Sequence, residues 1–275
     1  MQGPDVSRIL SRWPYPEAAV AAYSAAMTAA FNDPEARSAI ESAMSDYAAG
    51  RRLDARSLLA PLESLGPECG VHGYTLRMLP PLAALAAAEE ESRERGLSGE
   101  MFRDSLADLL WKTLECGRRH GVWGSTAALW TWGFFEFRIF GLCRLQFEPV
   151  EYAGAPALSV HIPSSGPLRH PDCADSYARA ADFFGQRRFV CDSWLLHPVC
   201  HGLPEGSGIR SFAADYELQF VTDDPKFLDV WNIFGCAWTG SAADLPADTT
   251  LRRLWRDYLL RGGVPGRGYG LYESF

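Results

Sequence analysis

The stretch that decides the fold is SVHIPSSGPLRHPDCADSYARAADFF, residues 159–184. It starts inside an apolar run, residues 157–162, in which Ser159 and His161 are the only polar side chains. Such a run predicts a short buried strand. A loop of small residues follows, and apolar residues then recur at helical spacing as far as Phe184. The stretch therefore predicts a strand, a tight loop and an amphipathic helix.

The loop of this stretch has the shape of a phosphate site. It would bring free backbone N–H groups together with the positive end of the helix dipole, and its small residues would let a ligand approach the backbone. Two interpretations remain open. One is a plain connection with Asp172 capping the helix. The other is a ligand-binding loop that uses Pro163, Ser164, Ser165, Gly166 and Leu168.

Composition and charge limit the class of protein. The chain has 275 residues, of which 47% are hydrophobic, enough for the core of one large domain or two modest ones. The net charge of −8 argues against a general nucleic-acid binder. Lys112 and Lys226 are the only lysines, so the positive charge is almost all arginine, which suits bidentate binding of phosphate or carboxylate.

The cysteines and the apolar runs indicate the compartment. The seven cysteines are scattered and form no C-x-x-C pair, as in reduced thiols of a cytoplasmic protein. The first residues are polar and lack the features of a secretory leader. No apolar run reaches the roughly 18 residues that a membrane helix needs. We therefore expect a cytoplasmic protein with neither nucleic acid nor membrane as a partner.

Helical patterns dominate residues 1–140. Helices are predicted over residues 16–31, 34–49, 54–65 and 81–94, and a fifth runs from an N-cap at Ser98 to about Arg119. Gly66 and Pro67 are expected to end the third helix. The aromatic-rich residues 121–140 predict a buried helix, although some of these rings could instead line a substrate pocket. We expect a helical N-terminal domain over residues 1–140.

From residue 141 onward, strand and helix patterns mix. Helices are predicted over residues 209–214 and 249–260, and the glycine-rich residues 266–270 are typical of a turn. Further segments have the composition of strands: residues 142–149, 189–196, 217–222, 227–234 and 269–272. The fold class is therefore α+β, with a mixed-sheet C-terminal domain over residues 141–275.

Short motifs in the second half resemble a bacterial family called acyltransferase domain-containing proteins. The family has a helical N-terminal domain and a GNAT-like C-terminal domain. The motifs that carry the resemblance include RLQFE (residues 144–148), HIP (161–163), GPL (166–168), CDSWLL (191–196) and LPE (203–205). The first half resembles the family only in being helical.

The resemblance implies an activity and a co-substrate. It implies acyl-CoA-dependent N-acyl transfer, from acetyl-CoA or another acyl-CoA, to an unknown small-molecule or peptide amine. In this fold the co-substrate lies at a splayed pair of strands, and its pyrophosphate lies on the loop between a strand and the next helix. Residues 163–168 occupy that place in this sequence, so the resemblance favours the ligand-binding interpretation of the loop.

Acyl transfer to an amine requires a base, a polarised carbonyl group and a leaving thiolate. His161 is a candidate base near neutral pH, unless the loop backbone satisfies its ring. Asp192 is a second candidate, unless it is a structural hydrogen-bonding group. Strand alternation places Asp192 and Trp194 on one face, and Cys191 and Ser193 on the other. Cys191 is less favoured as a nucleophile, because transfer in GNAT-type enzymes is usually direct.

Two other functions remain as alternatives. A non-catalytic binding or regulatory protein could retain the GNAT-like fold without the chemistry. A metal-dependent hydrolase could use His197, Cys200 and His201, which form an H-x-x-C-H pattern. Pro198 disfavours a regular helix through that pattern, so we expect no metal site.

Overall fold

The computed structural model describes residues 4–49 and 55–273, the side chains of residues 55–58 excepted. Residues 50 and 54, at the predicted limits of two helices, lie outside that part. The contacts fall into two compact units, Met1–Gly141 and Leu142–Phe275. Each unit has its own apolar core.

The first unit is helical, as predicted. Side-chain caps begin two of its long helices: Asp33 accepts the N–H of Ala36, and Ser98 accepts the N–H of Met101. Its helices are α1 Val6–Leu10, α2 Glu17–Asn32, α3 Pro34–Ala48, α4 Ala55–Cys69, α5 Gly73–Leu76, α6 Leu79–Glu94, α7 Gly99–His120 and α8 Ala128–Phe135.

Two segments of this unit refine the predictions. Helix α4 continues through Pro67 and ends before Gly70, which has a φ of 67°. A proline removes one helical hydrogen bond, but Leu62 and Leu65 of the same helix are buried, and their packing holds the helix together. In the aromatic segment, only α8 is helical, and its Trp132 and Phe135 are buried in the core. The buried-helix interpretation is therefore correct for residues 128–135.

A six-stranded mixed sheet has the order β1-β2-β3-β4-β6-β5, and strands β2 to β6 lie in the second unit. Strand β3 runs parallel to β4, whereas the β2–β3, β4–β6 and β5–β6 pairs are antiparallel. The predicted α+β class is thereby confirmed. The strands are β1 Phe140–Leu142, β2 Leu145–Tyr152, β3 Ala155–His161, β4 Arg188–Ser193, β5 Glu217–Asp223 and β6 Gly266–Glu273.

Helices connect these strands. The longest, α9, links β3 to β4, and Thr249 caps α12 by accepting the N–H of Arg252. The helices are α9 His170–Phe184, α10 Gly208–Ala214, α11 Val230–Phe234 and α12 Thr250–Leu260. None of the helices in the described ranges combines the length and the apolar character that crossing a membrane requires.

Two predicted elements of the second unit are wrong. Residues 227–234 form a turn and helix α11 rather than a strand, because Phe227, Val230 and Phe234 recur at helical spacing and are all buried. Residues 266–270 belong to strand β6 rather than to a turn. The glycines of β6 allow close packing, since a Cβ atom at Gly268 would collide with the carbonyl group of Leu196.

Two predicted boundaries also differ. Strand β4 ends at Ser193, because the Ser193 hydroxyl accepts the N–H of Leu195 and starts a 3-10 turn. Asp172 is not the cap of α9: the helix begins at His170, so Asp172 already lies in its first turn, where its charge still complements the helix dipole.

The sheet has a packed face and an open face. On the packed face, Phe147 and Phe189 contact Tyr177 of α9, with ring centroids 6.1 and 4.9 Å apart. Alternation along the strands turns the intervening residues to the other side. That face, which we call the open face, is open only in part, because Gln146 and Val190 are buried on it. It carries the polar or exposed side chains Glu148, Ser159, His161, Arg188, Asp192, Tyr269 and Phe220.

Candidate functional site

The parallel strands β3 and β4 separate toward their carboxyl ends. Within the described residues they pair at two positions, Leu158 with Phe189 and Ser159 with Val190. The last two residues of β3 remain paired with β2, and the last three of β4 remain paired with β6. The facing backbone edges of β3 and β4 therefore have no strand neighbour beyond Ser159 and Val190. We call this gap the opening.

Arg144 organises the loop that follows β3. Its guanidinium group donates hydrogen bonds to the carbonyl oxygens of Pro163 at 3.0 Å, Gly166 at 2.9 Å and Pro167 at 3.1 Å. Three backbone acceptors of the loop thus point at one side chain. Burial of the Arg144 guanidinium group lowers its pKa. A charged donor makes such bonds stronger than neutral ones, so Arg144 sets the shape of the loop.

The N–H groups of the same loop contrast with its carbonyl groups in lacking a protein partner among the described residues. In residues 4–49 and 55–273 no acceptor is found for the backbone N–H groups of Ser164, Ser165, Gly166 and Leu168. Helix α9 begins just beyond, with Arg169 as an N-cap that makes no side-chain capping bond. Free amides and the positive end of a helix together favour an anion such as phosphate.

Two close contacts hold the base of this loop. The Ser176 hydroxyl of α9 accepts the backbone N–H groups of Arg144 at 2.9 Å and Leu145 at 3.2 Å. Gly208, the first residue of α10, lies against the carbonyl group of Leu168 so closely that a Cβ atom would collide with it. The loop therefore has a defined position next to the opening.

The two predicted candidate bases lie at the same level of β3 and β4, on either side of the opening. His161 lies two residues beyond Ser159, and Asp192 lies two residues beyond Val190, the last pair of the β3–β4 ladder. Both side chains therefore lie level with each other and on the open face. Nε2 of His161 is 3.4 Å from Oε2 of Glu148 on β2.

His161 has the electrostatics of a neutral imidazole. Burial lowers its pKa, and the neighbouring Glu148 carboxylate offsets part of that effect. The ring therefore stays neutral near neutral pH, which is the state that a base requires, and Glu148 would stabilise the imidazolium that forms on protonation.

Asp192 and Ser193 are not buried together as a polar pair. Asp192 is exposed, whereas Ser193 is buried and bonded to the backbone at the end of β4. Cys191 is completely buried on the packed face, and burial raises its pKa far above the ordinary range of a thiol. A nucleophilic thiolate at Cys191 is therefore disfavoured.

The H-x-x-C-H residues lie in the turns that follow β4 and pack beside α12. The His197 ring packs 4.8 Å from Trp255, and its Nδ1 accepts the N–H of Val199. The Cys200 thiol donates to the carbonyl group of Trp194. The described part of the chain contains no group of three or more His, Cys, Asp or Glu side chains arranged to hold a metal ion.

Sequence reasoning missed several residues of this region. Arg144 and Glu148 lie in the RLQFE motif, but their roles depend on partners elsewhere in the chain. Tyr269 pairs with Asp192, and Phe220 pairs with Tyr269. These side chains of the open face therefore continue from Asp192 over strands β6 and β5. The sequence offered one sign of the role of Glu148: the alternation along strand β2 turns Glu148 away from the apolar face, to the side on which His161 lies.

Comparison with known families covers nearly the whole chain. Residues 4–137 match the family model described as the N-acyltransferase N-terminal domain, and residues 139–272 match the GNAT-like C-terminal domain. No curated protein sequence matches the chain.

Solved structures share the fold. One is a crystal structure of an acyltransferase in complex with CoA and 10C-teicoplanin, with a TM-score of 0.80. Others are an acyltransferase mutant with octanoyl-CoA, at 0.79, and an acyltransferase with decanoyl-CoA, at 0.78. Each is 23% identical in sequence, and each alignment covers 99% of this chain and 88% of the other.

Proposed function

We propose that this chain, which belongs to the acyltransferase family that joins an N-acyltransferase N-terminal domain to a GNAT-like C-terminal domain, transfers an acyl group from an acyl-CoA to an amine. The opening between β3 and β4 carries the proposal. Its unpaired strand edges suit the amide groups of the pantetheine arm, and the adjoining loop offers free N–H groups to the pyrophosphate.

The proposal assigns the co-substrate site to the loop and to the opening. Phosphate oxygens would accept hydrogen bonds from the loop amides, with Pro163 and Arg144 keeping the loop in shape. The assigned loop residues are Pro163, Ser164, Ser165, Gly166 and Leu168. The related structures contain CoA, octanoyl-CoA or decanoyl-CoA, so we favour a medium-chain acyl-CoA over acetyl-CoA as the co-substrate.

His161 is the proposed base. The acyl-CoA supplies a thioester, and the ammonium form of the acceptor first loses one proton to solvent, so that the neutral amine nitrogen can attack the thioester carbonyl carbon. His161 accepts the proton that this nitrogen sheds, and Glu148 stabilises the imidazolium. As the C–S bond breaks, His161 returns the proton to the sulfur, so the products are an amide and CoA thiol. Backbone N–H groups at the strand edges are available to polarise the carbonyl oxygen.

Asp192 is the second candidate base and has a further role in the proposal. Its exposed carboxylate lies level with His161 and would attract a cationic amine toward the opening. The acceptor is then a small-molecule or peptide amine. All seven cysteines are free thiols, which supports a reducing compartment such as the cytoplasm.

The decisive experiment uses a charge placed on the loop. Ser164 is exposed, so Ser164→Asp should keep the fold while its carboxylate repels the pyrophosphate. Calorimetric titration with octanoyl-CoA should show binding to the wild type, and binding weaker by about tenfold or more in Ser164→Asp, a change of about 1.4 kcal/mol or more. Ser164→Asn, which is isosteric and neutral, should bind like the wild type.

Two results would count against the proposal. Equal affinity of Ser164→Asp and Ser164→Asn for octanoyl-CoA would show that the pyrophosphate does not bind at this loop. Tight acyl-CoA binding without CoA release in the presence of any amine of a broad panel would favour the non-catalytic alternative.

A further inference from the structure

Three aromatic rings stand side by side on the open face of the sheet. The ring centroids of Tyr152 and Tyr269 are 5.3 Å apart. The Tyr269 and Phe220 rings stack at 4.9 Å with an interplanar angle of 6°. The three residues come from β2, β6 and β5, and we call them the aromatic row. The mechanism proposed above uses none of them.

The aromatic row is unusual in being accessible. Phe220 is 50% exposed although it lies within a strand, and all of β5 is exposed along its length. Tyr269 is half-buried. Exposed apolar clusters of this kind mark ligand or partner sites more often than isolated exposed side chains do.

A negative charge adjoins the row. Asp192 pairs with Tyr269 across β4 and β6, and its charge adds to the effect of burial in raising the pKa of Tyr269. The two arginines near the row are paired with other carboxylates: Arg267 of β6 is tied to Asp229 at 2.6 Å, and Arg188 of β4, which packs over the Tyr152 ring, lies 3.4 Å from Glu273. The Asp192 carboxylate is therefore available to an ammonium group beside the rings.

The spacing connects the row to the opening. Neighbouring strands are about 4.8 Å apart. The Tyr269 ring stands between Tyr152 and Phe220, so a ligand ring would lie across the outward edges of Tyr269 and Phe220. An amine nitrogen two or three bonds from that ring would then lie beside Asp192, on the opposite side of the opening from His161. An aromatic ring with a short alkyl amine fits this arrangement of rings, carboxylate and base.

We propose that Tyr269, Phe220 and Asp192 form an acceptor subsite that selects amines bearing an aromatic ring, that is, arylalkylamines. The rings contact the aromatic group and the carboxylate attracts the ammonium. This inference rests on the proposed function, since it names the acceptor class for the same opening.

The test compares two amines that differ in aromaticity. In calorimetric titrations of the full chain with CoA present, 2-phenylethylamine should bind about tenfold more tightly than 2-cyclohexylethylamine, because ring–ring contacts add to apolar burial. Phe220→Leu and Tyr269→Leu should bring the ratio of the two affinities close to one. Phe183→Leu removes a similarly exposed ring, 41% exposed, from α9 and should leave the ratio unchanged.

Each outcome separates the inference from the proposed function. Failure of the wild type to bind the aromatic amine, or a ratio that survives in Phe220→Leu, overturns the inference. If the affinity ratios are as expected but no acyl group is transferred to any amine, the result supports the subsite and overturns the proposed transferase activity. Phe220→Leu carries the test if Tyr269→Leu does not fold, because the Phe220 side chain is half-exposed.

Discussion

The two faces of the sheet use alternate residues of the same strands for different purposes. On the packed face, Phe147 and Phe189 are almost fully buried and pack against Tyr177 of α9, whose hydroxyl group is hydrogen-bonded to that of Tyr216. On the open face, His161 and Asp192 lie level with each other on either side of the opening. Because successive side chains of a strand point to opposite faces, one strand can place core residues on one face and candidate site residues on the other. Substitutions three positions apart in β4 should therefore have distinct effects.

The largest effect is expected on the packed face. Phe189→Ala removes a ring that contacts Phe147, Tyr177 and Tyr272, and should lower the free energy of unfolding by about 3–5 kcal/mol. Asp192→Asn, in the same strand but on the open face, should change it by less than about 0.5 kcal/mol. Urea unfolding measures both. Similar losses in the two variants would contradict the division between the faces.

The next effect is expected at His161. His161→Gln should lower kcat/KM by about 100-fold, the lower end of the range for a lost general base. The affinity for octanoyl-CoA should not change, since the loop amides are untouched.

The pH profile sharpens that prediction. Protonation removes the base, so kcat/KM should fall as the pH drops through the pKa of His161. Burial lowers this pKa, so the acid limb of the wild type should lie below about 6.5. An acid limb that persists unchanged in His161→Gln would move the role of base to Asp192.

The smallest effect is expected at the loop support. Arg144→Met removes the donor to three loop carbonyl groups, and should weaken octanoyl-CoA binding by about tenfold because the loop amides lose their fixed direction. Arg187→Met removes an exposed arginine of the same unit and serves as the control. Unchanged affinity in Arg144→Met would show that the loop keeps its shape without this side chain.

The sequence by itself determined the local elements. Apolar spacing and caps predicted α9 between two strands, the cap at Ser98 and the change from helices to a mixed sheet near residue 141. These features depend on neighbours within one turn or one strand, where periodicity and hydrogen-bonding side chains act directly. The loop was visible for the same reason, since small residues between a strand and a helix form a local pattern.

Only the tertiary structure decided which residues meet. His161 and Asp192 lie level because β3 and β4 pair in parallel for two positions and then separate, a register that requires backbone hydrogen bonds between distant segments. Arg144 reaches a loop that lies 19 to 23 residues away in the sequence. The glycine-rich residues 266–270 belong to strand β6, where glycine is needed because Leu196 approaches the backbone closely. Such contacts depend on the packing of whole elements, which a local pattern does not encode.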